Sequence, residues 1–215
     1  MRGVFGQQQG VHHGPVTQSA QSSDSPSPSS IGSGAKQAKA QMRDKIRSRR
    51  AQRGQVDRER FAARLGEVSH PLIVEGATIS LFVGVGDEPN TGPLLHRLQS
   101  EGVRVLLPVV NPDWSLDWAE YVGDDELATA GYGLLEPTGE RLGQAAIAEA
   151  DLVVIPALAI DPEGRRLGQG AGCYDRALTF VPRETAVVAV VFNDERLTET
   201  LPEEPHDRRV DGVLP

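Results

Sequence analysis

Cysteine is almost missing: Cys173 is alone in 215 residues. No internal disulfide is available, and a lone thiol suits a reducing cytoplasm. No run of 18 apolar residues occurs, so no membrane-spanning helix is expected. The N-terminus lacks the apolar stretch of a secretory signal. Aromatic residues make up 5% of the chain. None alternates with the positive charges of the most basic stretch, as a nucleic-acid surface would have it, and no known DNA or RNA module is visible. The chain's glycine-rich loop lacks the Lys-Ser or Lys-Thr of a P-loop, and its glycine intervals are not those of the dinucleotide fingerprint.

Composition divides what is present into three parts. Residues 1–35 are rich in Gln, Ser, Gly and Pro without apolar periodicity. Such a segment cannot bury enough surface to offset its ordering entropy, so a disordered tail is expected, with His12-His13 carrying no specific site. Residues 36–64 hold 11 of the 22 Lys and Arg against three acids, Asp44, Asp57 and Glu59. Residues 65–215 hold 10 basic and 26 acidic residues. This asymmetry points to an anionic partner, with a solvated helix face or a nucleic-acid surface as the alternatives. A hydrophobic content of 39% supports one core, so 36–215 is taken as a single domain.

Met42 and Ile46 share a helix face, as do Phe61 and Leu65. Gly54 is expected to end the first helix and Asp57 to cap the second. Strands are expected at 77–83, at 103–107 ending before Pro108, at 116–122 with an exposed face, at 152–155, at 185–192 and at 210–214. Helices are expected at 91–99, capped by Asn90, and at 140–150. This alternation predicts an α/β domain: a Rossmann-like open sheet, mostly parallel, between two helix layers.

The most informative stretch is 151–176. An apolar strand, Leu152 to Ile155, stops at Pro156. A turn follows at Asp161-Pro162-Glu163-Gly164, then Arg165-Arg166-Leu167-Gly168-Gln169-Gly170-Ala171-Gly172, and a helix start near Cys173. Strand, basic glycine loop and helix start make an anion site, since glycines let the backbone amides and the helix terminus approach a phosphate. Read from the glycines alone, a tight turn is an equal alternative.

Taken whole, Pro156, Ala159, Asp161, Gly164, Arg166-Leu167-Gly168, Gly170, Gly172 and Tyr174-Asp175-Arg176 resemble the signature of the 5-formyltetrahydrofolate cyclo-ligase family, also called methenyltetrahydrofolate synthetase. That signature usually reads Arg-Leu-Gly-Arg-Gly-x-Gly-Tyr-Tyr-Asp, so Gln169 stands in place of an Arg and Cys173 in place of a Tyr. Lys39 and Arg43 match the family's Lys-x-x-x-Arg pair, which contacts ATP. Glu88-Pro89-Asn90-Thr91 is similar to its Glu-x-x-Thr segment, and Gly131 to Pro137 to its Gly-x-Glu-Pro segment.

The resemblance implies ATP contacts from Lys39, Arg43 and the loop Arg166, Leu167, Gly168, Gln169, Gly170, Ala171, Gly172, Cys173 and Tyr174. It implies reduced-folate contacts from Val83, Glu88, Tyr132 and residues 169–173. Arg166, Gln169 and Tyr174 are the implied catalytic groups, and Asp175 and Asp207 the implied Mg²⁺ ligands. A carboxylate such as Glu88 suits a pterin, whose edge offers an amino group and a ring N–H; an acid near a helix N-terminus is the plainer role. Tyr132 is either a stacking partner for the pterin or an ordinary tyrosine. Cys173 is read as a packing or contact residue, since the implied chemistry needs no side-chain nucleophile. Arg165 or Arg176 is expected to replace the charge lost at Gln169.

The implied activity is ATP-dependent closure of 5-formyltetrahydrofolate to 5,10-methenyltetrahydrofolate. The expected protein is a cytoplasmic monomer with small-molecule partners and no nucleic-acid or membrane partner. A non-catalytic folate or nucleotide binder of the same fold, or a nucleic-acid binder using 36–64, are the alternatives.

Overall fold

The computed structural model describes residues 28–203 and 207–215, together with Gly3, with side chains from Lys36 onward. The expectations for 1–27, His12-His13 included and Gly3 apart, lie outside the described residues.

The helices are α1 (Pro28–Ala51), α2 (Gln55–Gly66), α3 (Gly92–Ser100) and α4 (Cys173–Ala177). The strands of the main sheet are β1 (Thr78–Ser80), β2 (Arg104–Val110), β3 (Leu116–Glu120), β6 (Leu152–Pro156), β9 (Ala186–Val190) and β10 (Gly212–Leu214). Two small hairpins stand outside it, β4 (Leu127–Thr129) with β5 (Leu135–Pro137), and β7 (Ala159–Ile160) with β8 (Arg166–Leu167). The sheet runs β10-β9-β6-β1-β2-β3, parallel throughout except for the β2–β3 hairpin.

Side chains alternate across this sheet, as the pleat requires. Leu152, Val154, Val105, Leu107 and Val188 pack on one face against Phe61 and Leu65 of α2 and Leu94 and Leu98 of α3. Val153, Ile155, Leu106 and Val187 pack on the other against Ala146, Ile147, Ala177 and Leu178. Both faces are therefore covered, which is why the inner strands read as unbroken apolar runs. This is the expected three-layer α/β arrangement. From β1 the chain crosses to β2 on one side and later returns to β6 on the other. The crevice beyond the carboxyl ends of β1 and β6 is the switch point where such sheets bind ligands.

Helix α1 lies against a third cluster, with Ile46 buried among Leu158, Ala159, Leu167 and Leu201. Met42 packs on the same cluster, so the shared face with Ile46 is used as the spacing requires. Arg50 fastens the helix. Its guanidinium donates to both Glu195 oxygens and to the Ala157 carbonyl, each at 2.7 Å. Both partners of this pair are essentially inaccessible to water.

Several local expectations change. α1 begins at Pro28, ahead of the boundary placed at 36. Gly54 is the N-cap of α2 and Asp57 lies in its first turn. α3 is capped at Thr91, while Asn90 accepts a hydrogen bond from Gly92 N–H in the preceding turn. Residues 144–149 are a 3₁₀ helix instead of an α-helix, entered through Gly143 at φ +90°. Trp118 and Tyr121 are buried, so β3 does not expose them. Pro108 lies inside β2, opposite Trp118. Arg104 N–H donates to Ala77 and Leu106 accepts from Leu81, so this alternate set faces β1. Ser80, the last residue of β1, pairs with Leu106, so the N–H that Pro108 lacks would face no strand.

Candidate active site

The first wall of the crevice follows β1. Phe82 O accepts a hydrogen bond from the buried Thr91 hydroxyl at 2.6 Å, and that hydroxyl oxygen accepts from Gly84 N–H at 3.0 Å. The turn between them is so tight that a Cβ on Gly84 would sit 1.9 Å from the Pro89 carbonyl oxygen. Thr91 thus locks a short loop whose outer residue is the half-buried Glu88. The Glu88 carboxylate accepts from Val85 N–H at 3.4 Å and from the Gln169 amide nitrogen at 3.3 Å.

The second wall follows β6. Asp161, buried at the turn between β7 and β8, accepts from the N–H groups of Glu163, Arg165 and Leu201, each at 2.9 Å, and from the Arg165 guanidinium. Burial alone would raise its pKa, but the Leu201, Arg165 and Glu163 hydrogen bonds hold it below the ordinary carboxylate value. The turn so fixed presents Arg166-Leu167 and the loop 168–172. Gly170 takes φ +107°, a conformation open to glycine. The helix that follows is one short turn, Cys173–Ala177. Any anion binding here therefore falls to the loop amides and nearby cations more than to a helix dipole, which needs aligned peptides to accumulate.

Loop 168–172 separates two cavities. One, of about 430 Å³, is lined by Lys36, Lys39, Arg43, Arg166, Leu167, Asp175 and Asp207 together with loop residues. The other, of about 450 Å³, is largely apolar: Phe82, Val83, Pro108, Val110, Trp114, Tyr132 and Leu134 line it, with Glu88 and residues 168–175. Arg166, Gly168, Gly170, Ala171, Gly172 and Asp175 border both. The structure thus brings Lys39, Arg43 and Asp207 to one side, and Val83, Glu88, Tyr132, Gln169, Cys173 and Tyr174 to the other, with Arg166 and Asp175 bordering both.

The cations on the first side are held in place. Arg43 donates to Gly168 O at 2.9 Å. Arg166, almost wholly buried, donates to Arg208 O and is ion-paired with Asp175. Lys39 lies 3.6 Å from Asp207. Much of the remaining basic stretch pairs within the domain: Arg49 and Arg53 with Asp194, Arg50 with Glu195, and Arg58 with Asp87. The charge asymmetry of the sequence is in large part an internal complementarity.

Gln169 is contacted by neither of the expected arginines. Arg165 is occupied by Asp161, Glu163 and Glu203, and Arg176 donates to Trp114 O and Ala171 O. The guanidinium against Gln169 belongs to Arg47, which sequence reading passed over. It lies eight residues after Lys39 and four after Arg43, on the same stripe of α1, and that spacing was the available signal.

Two further features were not foreseen. Trp114 and Tyr132 both have positive φ, +65° and +61°, and their rings lie 4.9 Å apart beside the apolar cavity. Such backbone costs about 1–3 kcal/mol per residue and collects at ligand sites. The Tyr174 hydroxyl oxygen is buried with no hydrogen-bond partner among the described residues, and burial, with Glu88 nearby, pushes its pKa up. It remains a neutral donor whose hydrogen bond is left unmade. Cys173 packs on the core, and burial raises its thiol pKa, so it is a poor nucleophile.

Among the described residues no group of three or more His, Cys, Asp or Glu could hold a metal ion. Asp175 and Asp207 do border one cavity. Two carboxylates beside a cationic cavity suit Mg²⁺, which takes few protein ligands and completes its shell with phosphate and water. No helix among the described residues is long and apolar enough to cross a membrane.

The model of the 5-formyltetrahydrofolate cyclo-ligase family matches residues 35–215. A 5-formyltetrahydrofolate cyclo-ligase of Mycolicibacterium smegmatis is 40% identical over 182 residues, covering 82% of this chain and 93% of that protein. The Escherichia coli protein of the same name is 30% identical over 149 residues, 68% of this chain and 82% of its own. Among solved structures, 5,10-methenyltetrahydrofolate synthetase of Aquifex aeolicus superposes with a TM-score of 0.70 at 26% identity, over 82% of this chain and 88% of that one. The Mycoplasma pneumoniae synthetase shares the fold, with a TM-score of 0.64 at 16% identity, over 82% of this chain and 97% of that one.

Proposed function

The chain belongs to the 5-formyltetrahydrofolate cyclo-ligase family, and from that premise we propose how its residues divide the work of ATP-dependent ring closure. The substrate is 5-formyltetrahydrofolate. Its formamide carbon is a poor electrophile and its oxygen a poor leaving group. Transfer of the ATP γ-phosphoryl group to the formyl oxygen releases ADP and corrects both faults. N10 then attacks the activated carbon, loses its proton, and phosphate departs with the formyl oxygen. The product is 5,10-methenyltetrahydrofolate.

The observation that carries this reading is the shared wall. The cationic cavity suits a triphosphate and the apolar one, with an acid at its rim, suits a flat ring with a donor edge. Between them stands a loop in which Gly168, Gly170, Ala171 and Gly172 border both cavities, so a phosphoryl group has little distance to travel. Lys39, Arg43 and Arg166 neutralise and orient the phosphates, and the amides of 168–172 approach them. Glu88 accepts from the pterin edge, with Val83 and Tyr132 against the ring. Tyr174 offers its unpartnered hydroxyl to the reacting end, and Gln169 its amide. The chemistry asks for positioning and charge neutralisation more than for a nucleophile. Mg²⁺, when bound with the nucleotide, neutralises phosphate charge, and Asp175 and Asp207 would hold it.

This reading also takes the protein to be a cytoplasmic monomer without a nucleic-acid or membrane partner; the pairing of Arg49, Arg50, Arg53 and Arg58 with acids of the domain supports the absence of a polyanion partner. The test mixes purified protein with Mg-ATP and 5-formyltetrahydrofolate and follows methenyl absorbance. Absorbance growing in proportion to enzyme and requiring ATP supports the reading. Folate and ATP binding without turnover replaces it with a non-catalytic binder. Salt-sensitive oligonucleotide binding would revive a role for 36–64 in nucleic-acid recognition.

A further inference from the structure

Arg47 reaches from α1 to the glycine loop one helical turn beyond the Arg43–Gly168 contact. Its Nη2 donates to the Gln169 side-chain oxygen at 3.0 Å and to the Gln169 backbone carbonyl at 3.1 Å. Its Nε reaches the same side-chain oxygen at 3.3 Å. Its other polar neighbour is Asp44 in the preceding turn, at 3.5 Å. The opposite end of the Gln169 amide donates to Glu88 at 3.3 Å. Arg47, Gln169 and Glu88 come from a helix, a loop and a strand-to-helix turn, and they form one directed chain.

The chemistry of the three groups permits one orientation. A guanidinium only donates and a carboxylate only accepts, so the amide between them must turn its oxygen to Arg47 and its nitrogen to Glu88. Bonding the amide oxygen to a cation also strengthens its N–H groups as donors. The positive charge of Arg47 therefore lies against position 169, although the residue there is neutral.

We propose that Arg47 is a positioning residue for the reaction: it fixes the Gln169 amide and, through it, the Glu88 carboxylate that receives the folate. Without Arg47 the amide is free to turn its oxygen toward Glu88. Two acceptors then face each other and the carboxylate leaves its place. This inference rests on the reading of the site given above. Arg47 is half exposed and its ion pair with Asp44 lies at the surface, so its removal acts on the site and leaves the fold intact.

The experiment compares wild type, Arg47→Ala, Arg47→Lys and the double variant Arg47→Ala with Gln169→Arg. Melting temperature, kcat and KM for each substrate are measured, together with 5-formyltetrahydrofolate affinity by calorimetry without ATP. Arg47→Ala is expected to lower kcat/KM for the folate by about tenfold, chiefly through KM, as expected for loss of a charge-assisted contact. Its melting temperature stays that of wild type. Arg47→Lys keeps the charge without the forked geometry and falls between the two. The double variant places a cation directly beside Glu88 and recovers most of the loss. Arg47→Ala with unchanged folate KM and affinity overturns the inference, as does a double variant no better than the single one. If wild type binds folate but does not turn over, the catalytic reading fails. The calorimetric ranking of the four proteins then still decides the role of Arg47.

Discussion

Replacing Glu88 with glutamine isolates a single property, the charge and acceptor character of one carboxylate oxygen. In the folded protein Glu88 makes two long contacts, at 3.3 and 3.4 Å, and is half-buried. Contacts of that length are weak, so Glu88→Gln should leave the melting temperature of the ligand-free protein nearly unchanged. The folate is another matter. A hydrogen bond to a charged acceptor is worth about 1.5–3 kcal/mol, and the glutamine nitrogen would confront a donor with a donor. At 1.4 kcal/mol per factor of ten, the dissociation constant for 5-formyltetrahydrofolate should rise about 10- to 150-fold. ATP affinity should hold, because Glu88 does not border the cationic cavity. Calorimetry with each ligand alone reads both quantities, and thermal unfolding reads the third. A lowered melting temperature with normal folate affinity would refute the argument, leaving Glu88 a helix-terminal acid and no more.

Arg43→Ala removes a cation held against Gly168, and is expected to weaken ATP binding by about 1.5–3 kcal/mol with folate binding close to normal; titration with each ligand checks this. Gly84→Ala forces a methyl group onto the Pro89 carbonyl, and should cost at least about 1–3 kcal/mol of stability by denaturant titration, with folate affinity falling as the Glu88 turn opens. Asp161→Asn sets a donor among four donors and should cost about 3–5 kcal/mol at neutral pH. Because the Asp161 pKa is lowered in the folded state from its ordinary 3.8, its contribution is fully present above that value. It disappears as pH falls through the depressed one. The gap between wild type and Asp161→Asn in urea unfolding should accordingly hold from pH 7 down to about pH 4 and narrow at lower pH, and a gap that stays constant below pH 4 would count against the ion pair as its source.

The layers of the fold were legible because Leu152 to Ile155 and Val187 to Val190 are apolar on both faces, and only a doubly covered sheet buries such runs. The loop was legible because its chemistry is local: Arg166 to Asp175 spans ten positions and carries its glycines, cation and acid together. Arg47 was harder to see, since its partner is 122 residues away and its spacing after Lys39 and Arg43 puts it on the same stripe of α1 without stating what it meets. The segment 144–149 was misread because alanine favours the α-helix, while tertiary packing of Ala146 and Ile147 against the sheet fixes a tighter coil. Pro108 was misread as a strand terminator because a proline ends pairing on one side only, and that side is visible only once β1 is known to stop at Ser80.

Gly168, Gly170, Ala171 and Gly172 border both cavities, and no side chain among them is larger than a methyl. Along these four residues the partition presents little but backbone to either side. A ligand that presses on it or hydrogen-bonds to its amides from one side changes what the other side offers. Two dissociation constants measured separately therefore do not describe this protein. A third quantity, the factor by which one ligand alters the affinity of the other, belongs to the loop itself. That factor must be identical in the two directions, since it is a free energy of the ternary complex and not a property of either ligand. If nucleotide tightens folate binding, folate tightens nucleotide binding equally, and the order in which they arrive becomes a matter of rate alone.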